Sequence, residues 1–407
     1  MGRIIILIFH MEEIMKKLIL AMLLIIISLT SVFFMRKIIN KYITNNTQSN
    51  PTSNNVNKET NTPTDKDNSS NKNLQEKANE ILSSMSIEEK VGQMFLIRCN
   101  KYTALEDLNK YKVGGFILFD DNINGETKES LSSTIDTYQN NSPINLIIAI
   151  DEEGGTVNRL SWYPEFRAVP FYSPQELYNE GGYPLIIDDT KEKSTLLKSL
   201  GINMNLAPVA DISTNPNDYI YPRTFGKDAE ETANYVKTVV ETMKENKIGS
   251  TLKHFPGYGG NLNTHDEMSE DNRSYESFLN NDFIPFKAGI DAGTDSILVS
   301  HNIINSIDEN FPASLSKKAH DVIRNELNFD GVIMTDDLQM SAIKNYYGES
   351  KSAILAVESG NDLIISSDYQ IQIPTVIEAV KNGEIKEEVI DKAILRVLIL
   401  KLKLEII

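Results

Sequence analysis

The stretch Ser250-Thr-Leu-Lys-His-Phe-Pro-Gly-Tyr-Gly-Gly-Asn-Leu-Asn-Thr-His265 contains the unit from which the rest of the chain is read. Its apolar start, Ile248 to Leu252, reads as a buried strand ending in Lys253 and His254. Pro256, Gly257, Gly259 and Gly260 then break regular structure and force a loop, which carries a second histidine, His265. A lysine and two histidines at a strand end and on its following loop suit proton transfer or anion contact. Any one of these histidines alone reads more simply as structural. The set gains weight because the same placement recurs along the chain.

Outward from this stretch, short apolar runs alternate with amphipathic helical segments from about Leu74 onward, the rhythm of repeated βα units around a parallel sheet. Eight candidate strands are Met94–Ile97, Phe116–Phe119, Leu146–Ile150, Met204–Ala207, Ile248–Leu252, Ser296–Val299, Val332–Met334 and Leu363–Ile365. Their number and spacing predict an α/β fold, a (β/α)8 TIM-type barrel. An open doubly wound sheet is the alternative, but no Gly-x-Gly-x-x-Gly opens a helix after the first strand. The residues that follow the runs are Arg98, Asp120-Asp121, Asp151-Glu152-Glu153, Asp211, Lys253-His254, Ser300-His301, Asp336-Asp337 and Ser366-Ser367. Nearly every strand thus ends in polar or ionisable groups, and in a barrel those ends share one rim.

Upstream the composition changes twice. Lys16-Lys17, the uncharged run Leu18 to Phe34 and Arg36-Lys37 mark residues 1–43 as a membrane anchor or signal segment. No Ala-x-Ala-like site precedes Arg36, which favours an uncleaved anchor with the barrel outside the cell; a cleaved segment would make the protein secreted. Residues 44–73 are almost all Asn, Thr, Ser, Lys and Asp, too poor in apolar surface to order, and read as a disordered tether. The single catalytic domain is then 74–407. A formal charge of -17 argues against nucleic acid and against an anionic lipid surface as partners of that domain. The one cysteine, Cys99, excludes an intramolecular disulfide framework and any cysteine cluster for zinc. There is no His-x-His pair and no His-Glu-x-x-His helix, so neither a metal nor a cofactor is expected.

At the rim, Asp336 follows Val332-Ile-Met-Thr and can serve as nucleophile, base or ligand. Strand alternation would turn Asp337 away from the substrate. Asp151 and Arg159 flank a tight glycine turn, and Arg223 lies in the long fourth loop; arginines and a lysine beside carboxylates suggest a polar substrate held through hydroxyls or carbonyls. A lysine at a barrel strand end also leaves open Schiff-base chemistry through Lys253.

Together Lys253-His-Phe-Pro-Gly-Tyr-Gly, Asn263-Thr-His265, Asp151-Glu-Glu-Gly-Gly-Thr-Val-Asn-Arg159, Arg223-Thr-Phe-Gly226 and Gly331-Val-Ile-Met-Thr-Asp-Asp-Leu-Gln-Met340 resemble glycoside hydrolase family 3. The likeness covers Leu74 to the C-terminus and is nearest to the single-domain bacterial β-N-acetylhexosaminidase branch, which acts on cell-wall N-acetylglucosamine. It implies a retaining, exo-acting β-N-acetylglucosaminidase on peptidoglycan-derived glycans, with Asp336 as nucleophile and His265 as acid/base. It also implies that Asp151, Arg159, Arg223, Lys253 and His254 hold the sugar hydroxyls and the acetamido group. The sequence runs only a short way past the eighth strand, so no second domain is expected to supply an acid/base carboxylate. One departure matters: the family's Asp-x-His is Asn263-Thr264-His265 here. An amide can orient the imidazole, but it stabilises the imidazolium less than a carboxylate does. Asp266 or Glu267 could supply that charge, and Gly260 stands where many relatives have an aspartate. Asn263 therefore raises an alternative, a family member that binds muropeptide or glycan without efficient turnover.

Overall fold

The computed structural model describes residues 65–407 apart from 262, 265 and 266. The expected membrane segment, most of the expected tether and His265 lie outside the described residues. Among the described residues no helix is long and apolar enough to cross a membrane. Residues from Thr64 to Ile407 form one compact unit.

Ten strands are present among the described residues: β1 Phe95–Arg98, β2 Gly115–Leu118, β3 Ile147–Ile150, β4 Met204–Asn205, β5 Gly249–Phe255, β6 Glu270–Asp271, β7 Ser296–Val299, β8 Ile303–Ile304, β9 Val332–Thr335 and β10 Ile364–Ser366. Eight form a sheet in the order β10-β1-β2-β3-β4-β5-β7-β9, every neighbouring pair parallel. A parallel bridge between Met334 and Leu363 joins β9 to the start of β10 and closes the barrel. Beyond it, Thr335 N donates to Leu363 O at 3.3 Å and Leu338 N to Ile365 O at 3.2 Å. Each of the eight sheet strands lies on one of the expected apolar runs. The fourth is shorter than expected: Ala207 N turns back to Asn205 O at 2.8 Å instead of continuing the ladder. The fifth is longer, running past Lys253 and His254 to Phe255.

The runs are apolar throughout because both faces of each strand are buried. Leu96, Ile117, Ile147, Ala149, Met204, Leu298, Val332, Met334 and Ile365 point inward and form one cluster. Phe95, Ile97, Phe116, Ile148, Ile150, Ile297, Val299, Ile333 and Ile364, at the alternate positions, pack outward under the helices. Val397, Leu400 and Ile406, from the last helix Glu387–Lys403 and the residues after it, join the inward cluster and close the barrel floor. On the outside, helix Ala229–Glu245 packs against helix Phe283–Ala292. Helix Asp65–Ser83 packs against Glu387–Lys403. It begins before Leu74 and so takes in the end of the segment whose composition reads as tether. Its buried residues Ala78 and Leu82 lie four apart, on the face that meets the domain.

A second, two-stranded sheet pairs β6 with β8. It ties the loop that follows β5 to the one that follows β7, so the segment after His254 is anchored to the rim at both ends.

Candidate active site

The pairing of β5 with β7 slips between Leu252 and Phe255, where the Lys253–His254 peptide is cis. Leu252 and Phe255 both pack into the outer core, while Lys253 and His254 both line the cavity at the barrel mouth. Lys253 is almost wholly buried, with Nζ 2.7 Å from Asp151 Oδ1 and 2.5 Å from Glu153 Oε1. Arg223, in the short 3-10 turn Tyr221–Arg223, meets the same Glu153 with a forked guanidinium: Nε to Oε2 is 3.0 Å and Nη2 to Oε1 is 2.7 Å.

Burial alone would raise the pKa of the Glu153 carboxyl, but Arg223 and Lys253 more than reverse this and hold it well below the usual carboxylate range. For Lys253 burial favours the neutral amine, and Asp151 and Glu153 outweigh it, leaving the pKa above the ordinary lysine value. An amine held in the ammonium form lacks the lone pair that Schiff-base formation requires, so the geometry disfavours that chemistry. It suits hydrogen-bond donation to a substrate oxygen.

His254 is oriented from both sides. Its Nε2 lies 3.1 Å from Arg223 Nη2, which can only donate, so Nε2 accepts. Nδ1 then carries the proton and donates to Asp211 Oδ2 at 2.7 Å. Asp211 is buried; it also accepts from the His254 backbone N at 3.1 Å and from Tyr258 N at 2.7 Å. Glu152 is used in the same way. Its carboxylate accepts from Arg159 N and Leu160 N, both at 2.8 Å, from Ser161 N at 3.1 Å and from Ser161 Oγ at 2.5 Å. These bonds shape the loop that brings Arg159 to the cavity, where its guanidinium lies 5.6 Å from the centre of the Phe119 ring.

Asp336 stands directly after β9, its backbone N donating to Val299 O at 3.1 Å and its Oδ1 accepting from Asp337 N at 2.8 Å. Both aspartates line the cavity, contrary to the strand-alternation expectation. The strand ends at Thr335 and the pair sits in a turn, where alternation no longer applies. Asp337 is nonetheless committed elsewhere. Its Oδ1 accepts from Gln339 N at 3.0 Å and Ser367 N at 3.1 Å, and its Oδ2 accepts from Ser367 Oγ at 2.5 Å. Burial raises its pKa against those bonds. His301, fully buried, donates from Nε2 to Asp337 O at 3.0 Å and pairs through Nδ1 with Ser314 Oγ at 2.7 Å, so it holds the turn that carries Asp336.

The loop after β5 is fastened at two places. The Tyr258 hydroxyl lies 2.8 Å from Thr264 Oγ1 and accepts from Thr264 N at 3.0 Å. Farther on, Arg273 bridges Asp271 at 2.8 Å and Asp282 at 2.9 Å, and Asp271 accepts from Asn261 Nδ2 at 2.9 Å. Gly257, at a φ of 125°, lies so close to Asp282 that a Cβ there would clash with its carboxyl oxygen at 2.3 Å.

The structure therefore brings Asp151, Arg159, Arg223, Lys253, His254 and Asp336 to one cavity of about 660 Å³. Asn263 is described on the loop beside Thr264 and is not among the lining residues; its carbonyl accepts from Glu267 N at 3.4 Å. His265 lies outside the described residues. Glu153, Asp211 and His301 are organising residues to which the sequence assigned no role: Glu153 and His301 stand in the polar groups directly after β3 and β7, and Asp211 lies six residues beyond the end of β4. Among the described residues no cluster of three or more His, Cys, Asp or Glu is placed to hold a metal ion.

Residues 86–400 match the family described as the glycosyl hydrolase family 3 N terminal domain. The chain is similar to a glycoside hydrolase family 3 β-N-acetylglucosaminidase from Paenibacillus sp. str. FPU-7, with a TM-score of 0.75 and 30% identity over 79% of this chain and 63% of that one. This chain thus spans less than two thirds of that protein. It is also 31% identical to a β-hexosaminidase of Nitrosomonas eutropha over 62% of its own length and 73% of that protein. To the β-hexosaminidase LpqI of Mycobacterium tuberculosis it is 24% identical over 78% of its length and 83% of that protein.

Proposed function

This chain belongs to glycosyl hydrolase family 3, and we propose that it is a retaining, exo-acting β-N-acetylglucosaminidase that removes terminal N-acetylglucosamine from peptidoglycan-derived glycans. The observation that carries the reading is the convergence of Asp336 with the Lys253–Asp151–Glu153–Arg223–His254 network on one cavity at the barrel mouth. The relatives' activities on hexosaminides support the sugar class.

In this mechanism the terminal sugar sits on the cavity floor, where Asp151 accepts from a hydroxyl and Lys253, Arg159 and Arg223 donate to ring substituents. Asp336 attacks the anomeric carbon as the bond to the leaving oxygen breaks, and His265 gives that oxygen its proton. Water then adds to the glycosyl-enzyme, His265 takes its proton, and Asp336 leaves as a carboxylate. Interactions preorganised by Glu153 and Asp211 need no rearrangement as charge develops. Tethering at the cell surface through residues 1–43 fits this reading. Protease treatment of intact cells would remove a surface-held barrel, and protection from it would contradict the localisation.

The direct test is hydrolysis of p-nitrophenyl N-acetyl-β-glucosaminide beside p-nitrophenyl β-glucoside, with the first-formed anomer read by NMR. Preference for the acetamido sugar with a β product is expected. A second reading, glycan binding without efficient turnover, is motivated by Asn263. It would show as calorimetric binding of N-acetylglucosamine oligomers with no hydrolysis.

A further inference from the structure

The floor and the mouth of the cavity differ in kind. The floor is crowded with charge, whereas the mouth carries Tyr219, 42% exposed and, of the exposed large hydrophobic side chains among the described residues, the one that lines this cavity. Tyr102, Trp162 and Tyr346 are also exposed but do not line it.

Tyr219 is held firmly. Ile220 beside it is fully buried, and Asp218 before it accepts from Ser213 Oγ at 2.7 Å and Asn215 Nδ2 at 2.8 Å. Its ring centre lies 5.9 Å from that of Tyr258, which is buried and meets the His254 ring edge-on at 5.6 Å. A ring fixed by its backbone neighbours loses little further freedom when something stacks on it. Pyranose rings present a C–H face and hydroxyl edges, and an aromatic face takes the former. Gln339, from the loop after β9, and Ser341, which opens the helix Ser341–Tyr347, add polar groups to the same cavity for the latter.

We propose that Tyr219 is the platform for the sugar on the leaving-group side of the bond being cut, so that glycans of two or more units are preferred over small glycosides. The terminal sugar occupies the charged floor, and a leaving group must pass the mouth where Tyr219 stands. This rests on the function proposed above.

The test compares N,N′-diacetylchitobiose, whose leaving group is a sugar, with N-acetyl-β-glucosaminyl fluoride, which has no ring beyond the cleaved bond. Tyr219→Ala lowers kcat/KM for the disaccharide roughly tenfold, or about 1.4 kcal/mol, mostly through KM. The fluoride changes less than about twofold. Tyr219→Phe keeps both activities. Tyr219→Leu retains apolar bulk against Tyr258 without the flat face and shows the same selective loss as alanine, which separates stacking from disturbed folding. Equal losses on both substrates, or loss on neither, overturn the platform. A wild-type enzyme that hydrolyses neither substrate overturns the proposed function and the platform with it.

Discussion

Asn263 stands where the family resemblance implies an aspartate, and a single substitution tests what that difference does. Asn263→Asp places a carboxylate two positions before the proposed acid/base His265, favouring the imidazolium formed during the reaction. Activity on substrates with poor leaving groups is expected to rise tenfold or more, at least about 1.4 kcal/mol of transition-state stabilisation. Substrates whose leaving group needs no proton respond less, and steady-state kinetics on both types reads the difference. A neutral result on both would show that Asp266 or Glu267 already supplies the charge, or that the pair does not operate. At this scale the sequence was legible where a residue's type states its chemistry. Six proposed site residues meet at one cavity, and each stands at a strand end or in the loop after it. It was illegible where one carboxylate serves another side chain. Glu152, Glu153 and Asp211 read alike as polar strand successors, yet one shapes a loop, one joins two cations and one orients a histidine.

Among the elements, the last helix makes a demand that its sequence conceals. Lys401 is fully buried, with Nζ 2.6 Å from Gln93 Oε1, and burial lowers its pKa to about 7 from 10.5. Between those values the unfolded chain holds a proton that the folded one does not, so this residue makes stability rise with pH across that window. Below about 7 the folded site is protonated and the penalty is fully present. Lys401→Met removes the titration, so the melting temperature of the variant relative to wild type is expected to increase as the pH falls from about 9 to about 6. A difference independent of pH would mean that Lys401 keeps its charge in the fold by another route. The strands themselves were readable because two buried faces leave an unbroken apolar run. The start of the helix Asp65–Ser83 was not, because its composition is that of the tether; Ala78 and Leu82, the buried residues by which the helix meets the domain, lie after Leu74.

For the molecule as a whole, the compact unit defines what can be removed. A chain lacking residues 1–64 is expected to fold and to hydrolyse substrate within about twofold of the full chain, since the expected tether isolates the barrel mechanically. Extending the deletion through Ser83 removes the buried Ala78 and Leu82 and should lower the melting temperature by roughly 5 °C or more, which calorimetry measures. The closure described above also sets an order of assembly. β1 finds its second neighbour only in β10, and the inward cluster is sealed only by Val397, Leu400 and Ile406. On a ribosome, the first strand therefore emerges long before its second partner, and the barrel's interior stays wet until the last helix has been made. Nascent chains of this protein offer an unpaired edge and an open apolar lumen for most of their synthesis. An unpaired edge and an open apolar lumen are the features that expose a folding intermediate to aggregation, and the helix Glu387–Lys403 covers the second of them.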